Sequence, residues 1–360
     1  MSNWTLNRYF FRIYVVSFVS TLIAVFALVY LIDMIEVSRR GRMTEFGFGA
    51  IALFSALRVP SFMEQAFPFI ILFSSIFTLL TLNRRLELVV ARAAGVSIWQ
   101  ILLPFAAGSL FLGMVATFAY NPFSAYAKGQ AAAFEAEIGN SGVPQSSGQV
   151  PWLRQSAEGI SSIIGAKTVA ENGALLGDVT VFVFGDDGLV RERVDASQAV
   201  LGDGAWTLNA PRVTRIGNPP EHPASYRLPT SLEPASIEQR LADPEAISIW
   251  ELGGKIGVAA SLGFNAMAFQ MQYNSLIAQP ALFIAMTLLA ATVATRFSRT
   301  QQSARTVAGG VLAGFVLYVV TFLAKALGSN AVVPPVAAAW FPVLAAGLFG
   351  VTLLLHQEDG

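Results

Sequence analysis

Cysteine is absent from the 360 residues, histidine occurs only twice, and charged residues make up 13% of the chain. The first absence excludes thiol catalysis, cysteine-ligated zinc, iron–sulfur clusters and disulfides. The two histidines, His222 in a Pro-rich loop and His356 near the C-terminus, lie far apart and argue against a histidine metal site or triad. The scarcity of charge, against about 25% in an average soluble domain, argues against a water-soluble enzyme of ordinary surface. The charges present cancel, 23 Lys and Arg against 23 Asp and Glu, so there is no basic footprint for nucleic acid. In place of charge the chain is 54% hydrophobic with a mean hydropathy of +0.57, which excludes disorder.

This apolar content is gathered into runs long enough to cross a bilayer, which takes about 20 helical residues. There are six: Ile13–Ile32, Val59–Leu82, Ile98–Tyr120, Leu276–Thr295, Thr306–Ala324 and Val336–Leu355. The first is too long for the apolar core of a cleavable signal peptide and no A-x-A-like site follows it.

Between the third and fourth runs, Ala125–Asn265 changes character. It is rich in Gly, Pro, Ser and charge and reads as short strands, Ile160–Lys167, Val179–Phe184, Leu189–Asp195, Ser197–Leu201, Ala205–Leu208 and Val213–Ile216. Turn signals such as Gly185-Asp186-Asp187-Gly188 and Gly202-Asp203-Gly204 separate them. The expectation is a polytopic α-helical membrane protein with six transmembrane helices, three plus three, around an inserted all-β, jelly-roll-like domain. The expected divisions are 1–124, 125–265 and 266–360.

Six spans put both termini on one side. With the N-terminus inside, the cytoplasmic segments carry Arg8, Arg12, Arg84, Arg85, Arg92, Arg296, Arg299 and Arg305. The short outer segments carry Arg39, Arg40, Arg42, Arg58 and Lys325. The positive-inside rule therefore favours cytoplasmic termini, with the β domain on the opposite side. The zero net charge is itself a cancellation: the central segment is net acidic and the membrane portion net basic.

The loop between the second and third spans, about residues 84–95, reads as a short helix ending at Gly95, a residue suited to the left-handed backbone that terminates helices. Leu86, Val89, Val90 and Ala93 recur at helical spacing, so one stripe is available to lipid headgroups or to a partner's cleft, while Glu87 and Arg92 lie on its more polar side. No phosphate-binding loop accompanies it. Gly253-Gly254-Lys255-Ile256 lacks the spaced first glycine and the Ser or Thr that would hold magnesium.

The segment Glu87-Leu88-Val89-Val90-Ala91-Arg92-Ala93-Ala94-Gly95 resembles the coupling-helix motif E-L-x-x-x-[RQ]-[AS]-x-G of the LptF/LptG permeases of the lipopolysaccharide-transport ABC exporter. The resemblance extends along the chain, from Asn7-Arg8-Tyr9 before the first span to Val332-Val333-Pro334-Pro335 before the last, and Gly314–Val319 is more similar to the LptG branch. It implies a permease subunit without catalytic residues, metal or cofactor of its own. The implied partners are a paralogous permease, a dimeric cytosolic ATPase that binds ATP and magnesium, a periplasmic bridge protein with one membrane helix, and lipopolysaccharide extracted from the outer leaflet of the inner membrane. It assigns Glu87, Leu88, Arg92, Ala93 and Gly95 to ATPase coupling.

Lipid A carries phosphates, and guanidinium groups suit them. Tyr30, Asp33, Arg39, Arg40, Arg42 and Arg58, at the outer ends of the first two spans, are the candidate substrate contacts; solvated loop charges or headgroup anchors are the alternative for the arginines. Gly309, Gly310 and Gly314 form a small-xxx-small pattern in the fifth span, read either as close helix packing or as part of a lateral gate. Two other functions stay open: a force-transmitting scaffold that carries no lipid, and a membrane-embedded lipid-modifying enzyme, for which Asp33, Glu36 and Glu64 are the available acids.

Overall fold

A computed structural model describes residues 3–39, 47–138, 152–157, 160–170, 174–185, 189–202, 204–215, 219–230, 243–261, 266–294 and 303–359. The helices are α1 (Asn3–Arg39), α2 (Gly47–Arg84), α3 (Glu87–Ala93), α4 (Ile98–Val115), α5 (Asn121–Ile138), α6 (Ile249–Ser261), α7 (Met267–Ala294), α8 (Ser303–Ser329) and α9 (Pro335–Asp359). Among the described residues six stretches are long and apolar enough to cross a membrane, one for each expected run, and the chain is a multi-pass membrane protein. Helix is the form such runs must take, because a single segment in hydrocarbon has to satisfy its own backbone.

The helices outrun the apolar stretches that announce them. α4 passes through a π-helical turn, Ala116–Tyr120, into α5 without a break, so the drop in apolar content at residue 125 is not the end of the third helix. Pro122 lacks an N–H, and a π turn just before it accommodates the missing bond. The Tyr120 hydroxyl there donates to the Pro60 carbonyl at 3.1 Å.

One compact unit comprises residues 1–39, 55–128 and 244–360. Its larger core joins α2 and α7, with Ile70, Ile71, Leu72 and Ile76 against Phe283, Met286 and Ala290. α4 meets α7 where Gly113 lies on Pro280. Among hydrocarbon-facing helices there is little hydrophobic drive to associate, so small residues and buried hydroxyls hold the bundle. Here Tyr14 bonds Ser109 at 2.7 Å, Ser109 bonds Thr287 at 2.5 Å and Ser75 bonds Thr287 at 3.3 Å, linking the first four spans.

The second unit comprises residues 40–54 and 129–243. Its sheet is antiparallel: β1 (Trp152–Ala157), β2 (Ile160–Ala170), β3 (Leu175–Phe184), β4 (Val190–Gly202), β5 (Ala205–Asn209), β6 (Arg212–Arg215) and β7 (Ser225–Pro229). The order is β1-β2-β3-β4-β5-β7, with β6 also on β4. β4 unites the two expected pieces at 189–195 and 197–201. It carries β6 along Glu192–Asp195 and β5 along Gln198–Gly202, end to end on one edge. Val179, Val181, Val183, Val194 and Leu208 surround the fully buried Trp206.

The chain re-enters the first unit through a 3-10 turn, Pro244–Ala246, and α6. Glu245 pairs with Lys325 at 2.8 Å and Lys128 at 3.4 Å, while the Ile249 N–H donates to Asn121 Oδ1 at 2.9 Å. Burial alone would raise the Glu245 carboxyl pKa, but the two ammonium groups hold it below its ordinary value near 4.5. With the folded pKa lowered, this contribution is complete above the ordinary value and is lost as pH falls through the lowered one. The protection factors of the amides of residues 247–252, with the intrinsic pH dependence of exchange divided out, are therefore expected to fall on acidification below about pH 4.5, and Glu245→Gln to show the low protection already at neutral pH.

Candidate functional site

A helix of seven residues is too short to persist alone, so α3 depends on what it packs against. Leu88 and Ala91 are buried in a cluster with Phe10, Leu82, Ile98 and Phe105. Leu88, which the resemblance assigns to ATPase coupling, is buried and anchors the helix. The opposite face is open: Leu86, Val89, Val90, Arg92 and Ala93 are exposed, Val90 at 66%. The apolar stripe seen in the sequence is thus an unburied stripe.

Left-handed residues bound α3 on both sides. Leu86, at φ 61°, precedes it, and Gly95, at φ 87°, follows it. Val96 N–H reaches the Ala91 carbonyl at 3.1 Å and Gly95 N–H the Arg92 carbonyl at 2.9 Å, the Schellman pattern that needs a left-handed residue and favours glycine. Two residues later Ser97 caps α4, exchanging bonds with Gln100 in a capping box at 3.3 Å each way. The reversal between the two helices is therefore fixed by local chemistry.

Glu87 is half-buried, and the Tyr9 hydroxyl donates to its Oε1 at 3.2 Å. This ties α3 to the first span, a link between residues 78 apart that no spacing rule reveals. Tyr9 itself lies in the Asn7-Arg8-Tyr9 segment, the only signal that the sequence offers.

At the other end of the first two spans, Asp33 and Arg58 form an ion pair at 3.2 Å; Asp33 is 3% exposed and the Arg58 guanidinium also lies 5.4 Å from the Phe62 ring centre. These two candidate substrate residues are brought together, with the cation already partly neutralised by the acid. Tyr30 stacks on Phe26, and Arg39 is exposed at the last turn of α1. Arg40 and Arg42 lie outside the described residues.

Glu64 is bound by the Asn121 amide at 2.8 Å, and Asn121 in turn caps α6. Asn121, unremarked in the sequence, thus bridges the second span, the third span and the returning helix.

The three candidate glycines divide. A Cβ at Gly310 would lie 2.8 Å from Val293, and one at Gly314 would overlap Leu72, so both serve contacts of α8 within this chain. Gly309 faces open space. The two spans least covered by their neighbours are the first and fifth, with 6% and 17% of their apolar windows buried against 67% for the fourth.

The sequence pattern of the lipopolysaccharide export system permease LptF/LptG matches residues 8–356, taking in all six spans, the β region and α3. The chain belongs to the LptF/LptG permease family. Among curated relatives the permease is 22% identical over 343 residues to the lipopolysaccharide export system permease protein LptG of Escherichia coli K12, covering 94% of this chain and 93% of that protein. It is 24% identical over 377 residues to LptG of Haemophilus influenzae, covering 99% of each. The permease is therefore a transporter subunit of a lipopolysaccharide export system, and the LptG-like reading of its C-terminal half agrees with the names of these relatives.

Proposed function

We propose that this permease draws lipopolysaccharide sideways from the outer leaflet of the inner membrane and passes it to a periplasmic bridge protein, driven by a cytosolic ATPase seated on α3. The observation that carries the reading is the two-sidedness of α3. Leu88 and Ala91 fasten it to the spans, and its outer face presents apolar groups beside Arg92 that are exposed among the described residues. Force on such a face reaches α1 through Glu87 and Tyr9, and α4 through the rigid Gly95–Ser97 reversal. ATP and magnesium belong to the ATPase; this chain supplies no cofactor.

The same reading sets the termini in the cytoplasm and the β domain in the periplasm. It places a second, paralogous permease or the bridge protein's helix on the bare faces of the first and fifth spans. Arg58, held by Asp33, and Arg39 then lie at headgroup depth for lipid A phosphates, with Arg40 and Arg42 as further candidates. Large apolar side chains are exposed along the apolar runs of α1 and α8, Ile23 and Val316 among them, as a lipid-facing or helix-facing surface requires.

Co-expressed with the ATPase and the second permease, the chain is expected to carry the ATPase through purification from membranes. A chain that inserts and pairs with the second permease but retains no ATPase would overturn the coupling assignment.

A further inference from the structure

A cavity of about 460 Å³ lies between α2, α3 and α4. Leu79, Leu88, Ile98, Ile101 and Leu102 form most of its wall, Val89 and Ala93 of the exposed face of α3 complete it, and Asn83 and Arg92 are its polar lining. The volume is within the range of small-molecule pockets, roughly 300–1,000 Å³, and exceeds what one inserted side chain would fill. Its depth is set by the sequence. The apolar run of the second span ends at Leu82 and that of the third begins at Ile98, so the cavity straddles the boundary between hydrocarbon and headgroups.

The charge at that boundary is net positive. Arg92 lines the cavity and Arg84 and Arg85, next to Asn83 in sequence, are exposed, against the one neighbouring acid, Glu87, which accepts the Tyr9 hydroxyl. An apolar chamber with a guanidinium and an amide at headgroup depth is complementary to one class of molecule, an acyl chain joined to an anion.

We propose that the cavity binds an anionic phospholipid of the adjoining leaflet, one acyl chain among Leu79, Ile101 and Leu102 and its phosphate on Arg92 and Asn83. A zwitterionic phospholipid carries a compensating cation and gains less from Arg92. Because α3 forms one wall, the bound chain supports the helix from beneath, on the side that Leu88 occupies. The proposal rests on the membrane placement of the spans, and Arg92, with Val89 and Ala93, borders both the cavity and the outer face of α3 on which the ATPase is proposed to sit.

The test uses the purified full chain with the partners it retains, in phosphatidylcholine vesicles doped with photoreactive acyl-chain analogues of phosphatidylglycerol or of phosphatidylcholine. Labelling of the segments 79–83 and 98–102 is expected to favour the phosphatidylglycerol analogue about fivefold, the equivalent of about 1 kcal/mol for one interfacial cation. Arg92→Gln should remove that preference, and Ile101→Phe, which narrows the chamber, should reduce labelling by both lipids. Equal labelling by the two analogues in the unaltered chain, or a preference that survives Arg92→Gln, would overturn the proposal. So would labelling seen only when the ATPase is stripped away, which would make the cavity part of the ATPase seat. The Arg92 comparison decides the matter even where Ile101→Phe fails to insert, since Arg92 is an exposed helix residue.

Discussion

Val90→Glu is expected to weaken ATPase association about 100-fold, or about 2.7 kcal/mol, while leaving insertion of the permease intact. Val90 is the most exposed large apolar residue of α3 and makes no part of the core, so a carboxylate there costs the free chain little. In the seated complex the same carboxylate is desolvated at the centre of an apolar contact, without a partner. Val90→Ile, which keeps the face apolar, should bind normally. Glu87→Arg is a less discriminating change, because it also breaks the bond from Tyr9 and places a guanidinium in a half-buried position. Pull-down of the ATPase by membrane-inserted variants separates the cases. Full binding by Val90→Glu would remove the outer face of α3 from the interface.

The second large effect is a contrast between two glycines in spans. Gly113→Ala should destabilise the permease by about 2 kcal/mol, since the new Cβ would lie 2.5 Å from the Pro280 Cα and overpacking typically costs 1–3 kcal/mol. The obstacle is backbone on a helix already interrupted by proline, so α4 and α7 must separate to admit it. Gly309→Ala has nothing within 4 Å of the new methyl and replaces a poor helix former, so it should be neutral or stabilising by up to about 1 kcal/mol. Thermal unfolding in detergent measures both. A loss at Gly309 in the isolated chain, or none at Gly113, would contradict the packing described.

The six spans were legible because runs without charge have few alternatives to a membrane helix. Their ends were not: α1 continues to Arg39, α2 begins at Gly47, and α5 carries the third helix on to Ile138 through polar and small residues. Helical continuation there follows from the turn before it, which composition does not register. In the β region the strands richest in Val were found. β1, with Arg154 and Gln155, and β7, ending in Pro229, were missed, and their assignment to the sheet rests on partners β2 and β5.

The short helix α3 was legible from Gly95 and the 3–4 spacing of its apolar groups, because both are local. Which residues face inward was not, since Leu88 is chosen by Phe10, Ile98 and Phe105 on other elements. Pairings such as Asp33 with Arg58, or Glu245 with Lys325, are equally invisible to spacing, and they change the reading of the charges involved. Arg58, a candidate phosphate contact or headgroup anchor in the sequence, shares its charge with a buried acid.

Lipid passage along the bare spans is tested most directly by photoreactive residues at Ile23 in α1 and Val316 in α8, in proteoliposomes holding the assembled exporter and lipopolysaccharide. Lipopolysaccharide adducts are expected at both positions, with yields that change when ATP is added. No adduct at either position, in a complex that still binds the ATPase and hydrolyses ATP, would show that this chain transmits force without carrying lipid.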